Sequence, residues 1–86
     1  MKVRIPTPLR SYTDGASVVE AGGATVADVI VDLDRQFPGF RFRMVDEHGK
    51  LRQHVRVWVD SEHTRDLDVT VAGASELTIM QALSGG

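Results

Sequence analysis

The run from Gly22 to Gly39, GGATVADVIVDLDRQFPG, constrains the fold more than any other stretch of the 86 residues. Val26, Val29, Ile30, Leu33 and Phe37 fall at i, i+3, i+4, i+7 and i+11. That spacing lines one face of an α-helix and leaves Asp32, Asp34, Arg35 and Gln36 on the wet side. Thr25 stands where an N-cap belongs, and Asp28, three residues on, resembles the acidic partner of a capping box. Its charge also suits the positive end of the helix dipole. Pro38-Gly39 stops the helix, because proline lacks the amide and clashes with the preceding turn. A helix that is apolar on one side only must lie against something flat and apolar.

The flanking segments supply that surface. KVRIP alternates, with Val3 and Ile5 opposed to Lys2 and Arg4, and it ends at Pro6. TPLRSYTDG reads as a loop and ASVVEA as a short second strand closed by Gly22-Gly23. QHVRVWVD is the strongest strand pattern, with Val55, Val57 and Val59 on one face and His54, Arg56, Trp58 and Asp60 on the other. FRFRM fits either a short strand or a single helical turn, and DEHGK reads as a turn. SEHTRDLDVTVAGAS reads as a connector with one short strand near Leu67 to Val71. ELTIMQAL is the last strand, with Leu77 and Ile79 inward and Thr78, Met80 and Ala82 outward.

One helix covering one face of a small mixed sheet of four to five strands is an α+β two-layer domain. The β-grasp (ubiquitin-like) architecture is the familiar solution of that form. Its first and last strands run parallel in the middle of the sheet. Val3, Ile5, Val55, Val57, Val59, Leu77 and Ile79 then face the helix. The whole chain, 1–86, makes a single domain with a flexible tail at 84–86.

Composition narrows the function. A chain this short buries only about 60–65% of its unfolded surface, enough for one core but little for a deep catalytic pocket. The net charge is −2 with both signs scattered, which argues against nucleic acid. The densest basic stretch, Arg41 to Arg56, is broken by Asp46 and Glu47 and reads as a solvated surface, or at most a patch meeting one acidic partner. No run approaches the roughly 18 apolar residues of a membrane span, and the N-terminus has no signal-peptide pattern, so the expected location is cytoplasmic. The absence of cysteine rules out thiol nucleophiles, disulfides and Cys-ligated zinc.

Several constellations invite chemistry. Ser11, His54 and Asp60 compose a nominal hydrolase triad, but Ser11 lies in no G-x-S-x-G elbow. His48, His54 and His63 are spaced by six and nine residues, which places no two on one helical face, so no metal site is expected. Gly22-Gly23 precedes the helix without a phosphate-loop pattern and reads as a plain turn. Trp58, Met80 and Ala82 share the polar face if the third and last strands are neighbours, and they then form a small apolar patch suited to partner docking. The sequence ends QALSGG. A glycine carboxylate has no side chain beside it and can thread a narrow channel to reach ATP. Three residues past Leu83 span about 10 Å when extended.

Taken together, VRIPTPLRSYTDG, GATVADVIVDLDRQFPGF, DEHGKLRQHVRVWVD and ELTIMQALSGG resemble the ThiS/MoaD superfamily of ubiquitin-like sulfur carriers. The likeness is strongest to its cysteine-biosynthesis (CysO-like) branch. It implies that Gly86 is adenylated by an E1-like, ThiF/MoeB-type adenylyltransferase and converted to a thiocarboxylate. Gly85 and Ser84 would thread the tail into the partner's active site. A sulfur donor loads the carrier, and an acceptor enzyme of a biosynthetic pathway takes the sulfur for cysteine, thiamin, molybdopterin or a secondary metabolite. The chain is then a protein co-substrate and not an enzyme. It binds no cofactor itself, and ATP, with zinc where used, belongs to the activating partner. Gln81 stands where the branch often has proline, which predicts a less rigid tail base. Two other readings are an interaction module acting through the sheet face and a protein modifier joined to lysines.

Overall fold

The structure, a computed structural model, describes residues 1–82, so Leu83, Ser84, Gly85 and Gly86 lie outside the described residues. Five strands form one mixed sheet: β1 (Lys2–Arg4), β2 (Val18–Glu20), β3 (Val55–Val59), β4 (Glu62–Thr64) and β5 (Glu76–Gln81). Their spatial order is β2-β1-β5-β3-β4. The first and last strands are parallel, Val3 lying opposite Leu77, and β5 is antiparallel to β3, Val57 lying opposite Ile79. The β-grasp arrangement expected from the sequence is therefore present, with β5 in the middle.

Helix α1 (Val26–Gln36) covers one face. Val26, Val29, Ile30 and Leu33 are buried against Val3, Ile5, Val55, Val57, Leu77 and Ile79, while Val59 and Phe37 are only half-buried at the edge. The N-cap is as expected: the Asp28 amide donates to Thr25 Oγ1 at 3.2 Å. The Asp28 carboxylate reaches one residue further back than a capping box requires and accepts from the Ala24 amide. Gly23 is not a plain turn residue. A Cβ there would lie 2.4 Å from Asp28 Cβ, so the glycine permits the chain to pass tightly over the first turn.

Three segments differ from the sequence reading. TPLRSYTDG is not an open loop: Thr7–Thr13 winds as a 3-10 helix, with Pro8 in its first turn and Leu9 and Thr13 buried. The open FRFRM segment is helical, α2 (Phe40–Met44), with Phe40 and Met44 buried. Its start is fixed from outside, because the Asp34 carboxylate accepts the amides of both Gly39 and Arg41. The short strand after β3 is at Glu62–Thr64 and not at 67–71. Asp60, with φ of 52°, makes the tight turn into it. The apolar residues 67–71 serve α1 instead. Leu67 and Val69 carbonyls accept the Ala27 and Val26 amides, which would otherwise be orphaned at the helix start.

Candidate functional site: the tail root and the open sheet face

The chain leaves the sheet at the end of β5. Gln81 still pairs with Val55, and the Ala82 amide donates to the His54 carbonyl at 2.7 Å. The tail base is thus laddered to β3 through Ala82. Gln81, where the branch often has proline, keeps its place in the strand ladder.

The face of the sheet opposite α1 carries no α-helix among the described residues. Register places Arg4, Thr78, Trp58 and His63 side by side across β1, β5, β3 and β4, with Met80 beside Arg56 in the adjoining row. Trp58 and Met80 share this face as parity predicts, but they are diagonal neighbours, since Thr78 lies opposite Trp58 and Arg56 opposite Met80. Trp58 is half-buried and its ring is tilted against His63, with 4.8 Å between centroids. Met80 is 51% exposed, and Ala82 is also exposed. Arg4 and Glu76 form an ion pair in the same surface. The Arg4 hydrogen bond holds the Glu76 carboxyl below the usual range, and Glu76 holds the Arg4 guanidinium above its own.

The nominal triad is not assembled. His54 and Asp60 flank opposite ends of β3, about 20 Å apart at strand rise. Ser11 lies in the 3-10 helix. The Asp60 carboxylate is occupied in accepting the Ser75 and Glu76 amides. His48, His54 and His63 do not converge, and among the described residues no group of three or more His, Cys, Asp or Glu could hold a metal ion. A cleft of about 520 Å³ between β4 and residues 69–74 lies at the end of the sheet away from the tail root. No helix among the described residues is long and apolar enough to cross a membrane.

A second surface flanks the tail root and was not singled out as a site by sequence. Phe42, Arg43, Arg52, His54 and Gln81 line a shallow groove of about 240 Å³. Its signal was the basic run from Arg41 to Arg56, which only the fold gathers beside the end of β5.

The ThiS family matches residues 3–86, nearly the whole chain. The chain belongs to the ThiS family. The curated protein named sulfur carrier protein CysO, from Mycobacterium tuberculosis, is 37% identical over 89 residues, covering 98% of this chain and 96% of that one. The crystal structure of M. tuberculosis CysO superposes with a TM-score of 0.88 at 36% identity, covering 95% of this chain and 98% of the other. The CysO of the Amycolatopsis orientalis BexX/CysO complex gives the same TM-score at 40% identity, with 99% and 98% covered. SAMP1 of Haloferax volcanii is further away, at 27% identity and a TM-score of 0.79 over 100% and 98% of the two chains. This ThiS-family chain is therefore a homologue of the CysO sulfur carriers along its full described length.

Proposed function

We propose that the chain is a cytoplasmic sulfur carrier that works through Gly86. The Gly86 carboxylate attacks the α-phosphorus of ATP in an E1-like, ThiF/MoeB-type partner, pyrophosphate leaves, and an acyl-adenylate forms. A sulfur nucleophile from the donor adds to the acyl carbon, AMP leaves, and the end becomes a thiocarboxylate. That group delivers sulfur to an acceptor enzyme of a biosynthetic pathway. Gly85 and Ser84 carry the end through the partner's channel, and a side chain at 85 would widen what must pass. Trp58, Met80 and Ala82 belong to the docking face on the open side of the sheet. The carrier holds no cofactor; ATP belongs to the activating enzyme.

The observation that carries this reading is the placement of β5. The family match extends to residue 86, and the last strand it includes is central, bonded on both edges and laddered out to Ala82. A strand held this firmly delivers whatever follows it at a fixed point. The BexX/CysO complex adds that a protein of this shape is taken up as one member of a complex.

The test is incubation with a cognate activating enzyme, ATP and a sulfur donor, followed by intact mass. One oxygen replaced by sulfur is expected on the full chain and absent when Gly86 is deleted. No mass change, or the same change in the deletion variant, rejects the reading. Likeness to SAMP1, a small archaeal modifier protein, favours a second reading in which the same adenylate leads to isopeptide conjugates. Conjugated species in cell extract would mark it.

A further inference from the structure

The basic stretch from Arg41 to Arg56 has a use that the sulfur chemistry does not absorb. We propose that the groove formed by Phe42, Arg43, Arg52, His54 and Gln81 docks an acidic segment, bearing an apolar side chain, of the enzyme that receives the tail. The assignment of the occupant to that enzyme rests on the function proposed above; the groove's preference for acidic peptide does not.

Three features of the groove specify that chemistry. None of its five lining residues is acidic, and three carry or can carry positive charge. The nearest carboxylate in sequence, Asp46, is turned to its own loop and accepts the amides of His48 and Lys50. Arg56 and Arg65 direct their guanidiniums to the carbonyls of residues 51, 52, 53 and 55. The lining itself is basic, on a chain of net charge −2.

The second feature is apolar. Phe42 is 67% exposed, the largest exposure among the exposed large hydrophobics of the described residues. It also meets Arg52. Arg52 Nε donates to the Phe42 carbonyl at 2.8 Å, and its guanidinium carbon sits 4.8 Å from the centre of the Phe42 ring. An exposed aromatic ring beside guanidinium forks suits a carboxylate with an aliphatic or aromatic neighbour. A phosphate polymer fits less well, because it needs an extended basic track and only five residues line the groove.

The third feature is position. Gln81 is both the last residue of β5 and part of the groove wall, so an occupant lies against the root of the tail. The groove is walled by Phe42 and Arg43 of α2, which packs on α1, and it meets the open sheet face only at His54. A carboxylate seated there would orient the tail at the entrance of its channel and speed encounter by charge attraction.

The experiment uses the full chain, isotope-labelled, and a synthetic peptide, acetyl-Glu-Glu-Leu-Asp-Glu-amide, followed by chemical-shift titration. Its Gln/Asn counterpart and a short RNA are run in parallel. Saturable shifts are expected at Phe42, Arg43, Arg52, His54 and Gln81 only, with affinity about tenfold weaker at high salt than at low salt. Arg43→Glu should abolish the shifts while its thermal unfolding stays that of the parent, since Arg43 is exposed. Met80→Ser should bind the peptide as the parent does. Shifts centred on Trp58 and Met80, equal binding of the neutral peptide or the RNA, or no saturable shift would each overturn the proposal. The titration reads no sulfur chemistry, so it stands or falls separately from the mass experiment.

Discussion

The two faces of the sheet are built from the same strands and follow opposite rules. On the α1 side, Val3, Leu77 and Val57 are fully buried, and the helix fills the space above them. On the other side, one residue along each strand, stand Arg4, Thr78, Trp58 and Arg56, with no α-helix of the described residues over them. The pleat alone makes this division, since neighbouring side chains point to opposite faces. Stability is concentrated on one face, which leaves the other free to be shaped by partners.

That division can be broken most sharply in the centre of β5. Leu77→Ala removes a fully buried side chain between β1 and β3 and is expected to cost about 3 kcal/mol, read from urea unfolding. A loss well under 1 kcal/mol would mean the core face does not carry the stability.

Acidification should have a smaller effect, because the groups concerned are exposed and screened. Asp32, Asp46 and Glu76 all have carboxyls held below the usual range, chiefly by the Arg35 hydrogen bond, the Lys50 amide and the Arg4 hydrogen bond respectively. A folded pKa below the unfolded one contributes stability above the unfolded value and loses it as pH falls through the folded one. The unfolding midpoint should therefore be flat from neutral pH downward and decline below about pH 4. Decline beginning well above that would point to other groups.

The smallest effect is expected at Met80, one face away from Ile79. Met80→Ser should change stability by less than about 0.5 kcal/mol while weakening the proposed complex with an activating enzyme. Unfolding measured beside a pull-down separates the two. A stability loss comparable to that of Leu77→Ala would erase the distinction between the faces.

Much of this was legible in sequence where a pattern repeats. The α1 stripe, its Thr25 cap, and the parity of β1, β3 and β5 all follow from periods of 3.6 and 2. FRFRM was ambiguous for a physical reason. Phe40, Phe42 and Met44 alternate as a strand would, yet Phe40 and Met44 also stand four apart, and the Asp34 carboxylate, outside the segment, accepts the amides at the helix start. Leu67 to Val71 misled for a related reason. Its alternating apolar residues satisfy the start of α1 through backbone carbonyls, so they hydrogen-bond a helix end and not a sheet. The strand that does form, at Glu62–Thr64, follows an Asp-Ser turn without the glycine that usually marks such turns. The groove at the tail root depends on α2 meeting the end of β5, so no local pattern could reveal it. The tail residues proposed to carry the chemistry were legible as a motif alone.

The central place of β5 has a mechanical consequence. A force applied to the chain beyond Ala82 runs lengthwise along a strand gripped on both edges by β1 and β3. The β3 ladder reaches Gln81 and the β1 ladder covers Glu76–Thr78, so the load falls along both ladders in shear. An enzyme can haul on this end while the body of the protein stays whole.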